Sequence, residues 1–195
     1  MKVLVACEYS GIVRNAFAAK GHNSWSCDIL PTESPGNHIQ DDVLKHLNKG
    51  WDLMIAHPPC TYLSNAGARF LYPKGKLNKD RYKLGLKAKE FFMALYNAPI
   101  DKICVENPIS SKIFELPKHT QTIQPYEYGH PIQKKTCLWI KNLKTLTPTK
   151  VMQKPQSTKI AGNWFNKGGK DRQKNRSKFF TGIAKAMADQ WGVDG

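Results

Sequence analysis

No apolar run in the 195 residues approaches the roughly 20 that a membrane-spanning helix needs. The first apolar stretch, Met1–Ala6, is too short for a signal-peptide core and Glu8 follows at once, so the expected location is the cytoplasm. Cysteine is sparse and unpatterned. Cys7, Cys27, Cys60, Cys104 and Cys137 form no Cys-x-x-Cys and have no His at zinc-finger spacing, which argues against a disulfide scaffold and against a metal. Acidic residues are also few: 15 Asp and Glu stand against 30 Lys and Arg, a net charge of +15. What remains is ordinary. With 41% hydrophobic and 23% charged residues the chain is neither disordered nor collagen-like, and it is long enough for one domain with a real core.

The charge excess is local. Lys74–Lys89 holds seven basic residues and one acid, and Lys141–Lys178 holds eleven and one; the rest of the chain is about neutral. A concentrated positive field favours a polyanion, and neither segment carries the apolar face of a membrane-surface helix. Nucleic acid is therefore the expected partner, against the alternative of a basic surface kept for solubility.

Short β runs alternate with helical periods in the first two thirds. Lys2–Ala6, Asn23–Asp28, Asp52–Ala56, Asp101–Glu106 and Thr136–Ile140 read as strands. Ile12–Lys20 reads as a helix with Ile12, Val13, Ala16, Phe17 and Ala19 on one face, ended by Gly21. Asp80–Tyr96 is a long helix whose inner face is expected to be Leu84, Ala88, Phe91, Phe92 and Leu95. Thr181–Trp191 closes the chain as a helix with Ile183, Ala184, Met187, Ala188 and Trp191 on one face. This order predicts an α/β protein with a mostly parallel sheet and right-handed crossovers. The expected division is a catalytic domain over 1–140, a basic, loop-rich segment over 141–178 that is partly mobile without a ligand, and a carboxyl-terminal helix over 179–195 packing back on the domain. A monomer is expected.

Ligands of such sheets bind beyond the carboxyl ends of the strands. There stand Glu8, Tyr9, Ser10 and Gly11 after the first strand, Asp28 after the second, His57-Pro58-Pro59-Cys60 after a later one, and Glu106-Asn107 after the next. Two prolines fix the backbone ahead of Cys60, the placement a nucleophilic thiol needs; the plainer reading is a structural cysteine at a strand end. A carboxylate at a sheet edge can bind an amino group or a ring nitrogen or act as a general acid, although a lone Glu is more often an ion-paired or capping one.

In this order and separation, Pro58-Pro59-Cys60 and Glu106-Asn107 resemble the DNA cytosine-C5 methyltransferase family. The resemblance runs along nearly the whole chain. Val3–Phe17 resembles the S-adenosylmethionine loop, with Glu8-Tyr9-Ser10-Gly11-Ile12 where Phe-x-Gly-x-Gly is usual. Cys27-Asp28 resembles the acid on the cofactor ribose, and Asp41-Asp42-Val43 the segment at the adenine. Tyr128–Lys135 resembles a Tyr-Gly-x-Pro-Gln segment, with Lys134 and Lys135 in place of arginines. His57 stands where a Gly is common, the last helix lacks the family's final signature, and no large target-recognition domain is present.

The resemblance implies a Rossmann-like S-adenosylmethionine-dependent methyltransferase fold with helices on both faces of the sheet. It implies Cys60 as nucleophile on C6 of a flipped cytosine, Glu106 on N3 and the exocyclic amine, and Asn107 positioning the Cys60 loop. It further implies Glu8, Ser10, Gly11, Asp28, Asp42 and Pro58 around S-adenosylmethionine, and Lys134 and Lys135 at the substrate. Lys170, Arg172, Lys174 and Arg176 are expected to meet DNA, and Trp164 and Phe165 either to stack on a base or to anchor their loop. The alternatives are the same chemistry on a mononucleotide or RNA or with a modified donor, and a non-catalytic nucleic-acid-binding protein.

Overall fold

The computed structural model describes residues 1–154 and 179–193. Seven strands form one sheet in the order β3-β2-β1-β4-β5-β7-β6. They are β1 (Lys2–Ala6), β2 (Asn23–Asp28), β3 (His38–Gln40), β4 (Leu53–Ala56), β5 (Lys102–Asn107), β6 (Gln121–Ile123) and β7 (Thr136–Lys141). The first five pair in parallel; β7 runs antiparallel to β5, and β6 antiparallel to β7. Among the described residues four α-helices accompany them: α1 (Ile12–Ala18), α2 (Ala68–Leu71), α3 (Lys79–Tyr96) and α4 (Thr181–Trp191).

The inner strands are apolar through their middles because both faces are covered. Val3, Val5, Leu53 and Ile55 pack with Phe17 of α1 and with Ile183, Met187 and Trp191 of α4. Leu4, Met54, Ile103 and Val105 pack on the opposite face with Phe92 and Leu95 of α3. The fold is thus Rossmann-like α/β with helices on both faces, as expected. After β1 the chain turns to β2 on one side, and after β3 it returns to β4 on the other. The tips of β1 and β4 therefore flank the switch point, where the loops part and leave a crevice.

Several expectations are corrected. The first helix ends at Ala18, and Ala19 is exposed. Strands β3 and β6 escaped notice because each has three residues, mostly polar. Leu84 is 42% exposed and Leu86 also faces solvent, because the inner position of that turn of α3 belongs to Gly85. The described part of the basic segment beyond β7 has no helix or named strand and is tied to the domain. Leu146 is buried and exchanges two 2.7 Å hydrogen bonds with Gln121, while Thr147 and Gln190 pair at 2.8 Å in both directions. The remainder of that segment, with Trp164 and Phe165, lies outside the described residues.

A side-chain methyl group at Gly85 would fall into the Phe114 ring, which is itself buried. In an open helix Gly→Ala stabilises by about 1 kcal/mol. Here overpacking, typically about 1–3 kcal/mol, should dominate. Gly85→Ala is expected to lower the urea midpoint, whereas Leu84→Ala on the solvent side should leave it within about 0.5 kcal/mol.

Candidate active site

The loop after β1 is built around two left-handed residues, Cys7 at φ 58° and Gly11 at φ 72°. Between them the buried Glu8 carboxylate turns inward. It accepts from the amides of Val13 (2.7 Å) and Arg14 (3.2 Å), two donors of the first turn of α1, and from the Ser10 hydroxyl (3.3 Å). The Ser10 hydroxyl in turn accepts from the Ile12 amide. Glu8 and Ser10 thereby fix the shape of this loop.

Asp28 ends β2. Burial raises its carboxyl above the ordinary value, against the amide of Leu30 that donates to it at 2.9 Å and the neighbouring His38. Beside it Ile29 is 74% exposed. Asp41 is held well below the carboxylate range by Lys45 and His46 (2.7 and 3.0 Å). Asp42 accepts from the Leu44 amide at the head of a 3-10 turn.

Arg14, fully buried on α1, was not singled out by the sequence reading. Its guanidinium donates to Ser26, Thr32 and Ser34 hydroxyls and to the carbonyls of Ser34 and Pro35, at 2.8–3.2 Å. The 29–37 loop is so clasped to α1, and Ser34 also donates to the Ser10 carbonyl. An arginine next to Val13 on an otherwise apolar helix face is the signal that could have found it.

The tips of β4 and β5 are adjacent in register, with Ala56 opposite Val105. The next pair outward is His57 and Glu106, and the His57 Nδ1 lies 3.2 Å from Glu106 Oε2, both side chains nearly buried at 11% and 13% exposure. Asn107, fully buried, donates its amide to the Pro58 carbonyl at 3.2 Å. Beyond Cys60 the two loops are stitched further: the Ser111 amide donates to Leu63, the Asn65 amide to Ile109, and Ser64 bridges Ser110. Half-buried Cys60 begins a turn whose carbonyl accepts from Ser64 at 2.9 Å. The loop that carries Pro58 and Cys60 is thus joined to the loop that follows Glu106 and Asn107.

Burial of Glu106 would raise its carboxyl, but the hydrogen bond from His57 and the positive charges of Lys134 and His57 outweigh it, and the carboxyl lies below its ordinary value. Lys134 reaches this site and also lies 5.6 Å from the Phe180 ring. Lys135 is exposed and acts on Cys137 instead. Lys170, Arg172, Lys174 and Arg176 lie outside the described residues.

Next to the Cys60 turn is a surface of stacked arginines and aromatics. Arg81 lies over Tyr62 (5.0 Å) and Phe70 (5.3 Å) and donates to the Thr61 carbonyl at 2.9 Å; Arg69 lies over Phe70 at 4.6 Å. These residues line an open depression of about 510 Å³ with Leu84. Lys74, Lys76, Lys79 and Lys83 are exposed nearby.

No protein-family model matches the chain, and no curated protein matches it. Among solved structures it is similar to a crystal structure described as a candidate DNA modification methyltransferase encoded within an E. coli prophage. Identity is 13% and the TM-score 0.44, over 77% of this chain and 51% of that one. The chain spans about half the length of that neighbour.

Burial pushes the Cys27 thiol up to about 11 and raises Cys7, Cys104 and Cys137 as well, which withholds the reactive thiolate at all four. Iodoacetamide at about pH 8 is expected to label Cys60 first, the other four reacting only after unfolding. Peptide mass spectrometry reads the order, and Cys60→Ser should leave the folded protein unlabelled.

Proposed function

We propose that the chain is a DNA cytosine-C5 methyltransferase that works through Cys60 and Glu106 with S-adenosylmethionine as donor. The observation that supports this most is the joining of the two loops at the switch point. The register of β4 and β5, the Asn107–Pro58 hydrogen bond and the Ser64–Ser110 bridge hold a thiol and a carboxylate at one sheet edge.

The edge also fits the donor. Asp28 is a partly desolvated carboxylate beside the outward-facing Ile29, which suits ribose hydroxyls next to an adenine ring. Gly11 admits the chain closely, since a side chain there would meet Ser34 and Arg14. Asp28, Asp42 and the Glu8–Gly11 loop would hold S-adenosylmethionine, with Pro58 bordering it. When bound, this group supplies an electrophilic methyl on a sulfonium.

Cys60, as thiolate, bonds to C6 of the cytosine, and the electrons of the C5–C6 double bond move into the ring. Glu106 accepts from the exocyclic amine and faces N3. C5 would take the methyl group that the donor supplies, a base removes the C5 proton, and the C6–sulfur bond breaks to return Cys60 as thiolate and restore the ring. The base must leave its stack first, at a cost of a few kcal/mol. Asn107 keeps the Pro58-Pro59-Cys60 loop in place throughout.

The partner follows from charge. Eight basic residues and one acid lie between Arg69 and Lys89, and Arg69 and Arg81 lie over the Phe70 and Tyr62 rings, a concentration of charge that suits phosphates. Lys134, Lys135, Lys170, Arg172, Lys174 and Arg176 are proposed to add to this DNA surface.

DNA carrying 5-fluorocytosine, incubated with S-adenosylmethionine, should trap a covalent complex through Cys60, visible as a mass-shifted band. Cys60→Ser should form none while still binding DNA; an adduct retained by that variant would sink the assignment. Arg69→Ala with Arg81→Ala should weaken DNA binding about tenfold and flatten the salt slope by about 2, near 0.9 per phosphate lost. Lys49→Ala with Lys102→Ala, at the opposite end of the sheet, should change neither.

A further inference from the structure

Addition of sulfur to C6 creates a demand for a proton at N3, because the electron pair displaced from the C5–C6 bond accumulates there and on O2. Glu106 cannot meet that demand alone. Burial raises its carboxyl, but the hydrogen bond from His57 and the charges of Lys134 and His57 outweigh it and favour the carboxylate. Its partner is His57, the residue that departs from the resemblance described above.

We propose that His57 is a positioning residue that fixes Glu106 and holds the proton which passes through Glu106 to the substrate pyrimidine. This rests on the cytosine reading of the site. The geometry is specific. The His57 backbone is pinned by its amide donating to the Ala6 carbonyl at 2.9 Å, so the ring leaves the β4 tip from a fixed origin. The ring is held against Phe179 with centroids 4.6 Å apart. Because Glu106 is a carboxylate, Nδ1 is the donor in the 3.2 Å contact. Nε2 is buried and has no hydrogen-bond partner among the described residues. A ring doubly anchored in this way keeps Nδ1 and its proton aimed at Glu106.

Among the described residues, the groups that set this balance come from three elements. Glu106 faces His57 from β5, and Lys134 acts on the same carboxylate from the segment between β6 and β7. Cys104 and Cys137, on β5 and β7, feel the negative charge of Glu106, and burial raises both thiols, leaving them neutral. The pair is thus one imidazole and one carboxylate, with a lysine alongside.

The step balances. As the C6–sulfur bond forms, N3 takes a proton from Glu106, and Glu106 takes the Nδ1 proton of the imidazolium, which becomes neutral imidazole. When the C5 proton has gone to a base and the C6–sulfur bond breaks, the N3 proton returns by the same route. No outside oxidant or reductant is involved. A glycine at position 57 could neither orient Glu106 nor supply this proton.

The test has two arms on the full-length protein. In the first, the imidazole ring signals of His57 are recorded by NMR at one pH in the wild type and in Glu106→Gln. Loss of the facing carboxylate should move the Nδ1 resonance; an unmoved resonance overturns the pairing. In the second, 5-fluorocytosine adduct formation is timed against pH for the wild type, His57→Gln and His57→Asn. The amide variants keep a donor near Glu106 but hold no transferable proton. They should slow adduct formation at saturating DNA by about 100-fold, leave DNA affinity unchanged, and lose the alkaline fall of the wild-type profile. Variants with the wild-type rate and profile overturn the proton role. A wild type that forms no adduct overturns it together with the cytosine reading, a result distinct from an active wild type with an indifferent His57.

Discussion

The pairing of β4 with β5 carries the site. Both strands are fully apolar in their middle, and burial between two helical layers fixes their register, because a one-residue slip would exchange the two faces. That register makes His57 and Glu106 neighbours and sets Asn107 beside Pro58. Catalytic groups on separate loops would have to be ordered by the ligand. Here main-chain hydrogen bonds between the loops have ordered them beforehand, the condition under which positioned groups are most effective.

The two halves of the edge are held by different means. On the β4–β5 side the loops are joined mainly by backbone bonds and one asparagine. On the β1–β2 side one buried arginine and one buried glutamate do the work, Glu8 satisfying the first turn of α1 and Arg14 gathering the 29–37 loop.

The strands that place the chemistry were legible because each inner one is a short apolar run ended by a charged residue, proline or turn. Five strands and three helices follow from that pattern, with ends shifted by two residues or fewer. The three-residue β3 and β6 were not legible: polar sequences of that length carry no period and exist through their neighbours. Leu84 misled because helical period alone cannot tell a glycine that receives a neighbouring ring, Phe114, from a gap in the apolar face. In the site, Cys60, Glu106 and Asn107 could be picked out from residue type and position at strand ends. The contact of His57 with Glu106 could not, since it joins residues 49 positions apart and depends on register. The stacking of Arg69 and Arg81 on Phe70 and Tyr62 was hidden likewise, although the excess of basic residues there was plain.

The buried guanidinium of Arg14 has a consequence for how this protein would fail. All the oxygens that receive its protons are uncharged, and they come from β2, from the 29–37 loop and from Asn15 next to it on α1. An ammonium group could not span them, so even the mildest exchange of side chain would free the loop while the thiol half of the crevice stayed intact. Inherited damage at this position would leave a folded chain whose 29–37 loop had come away from α1.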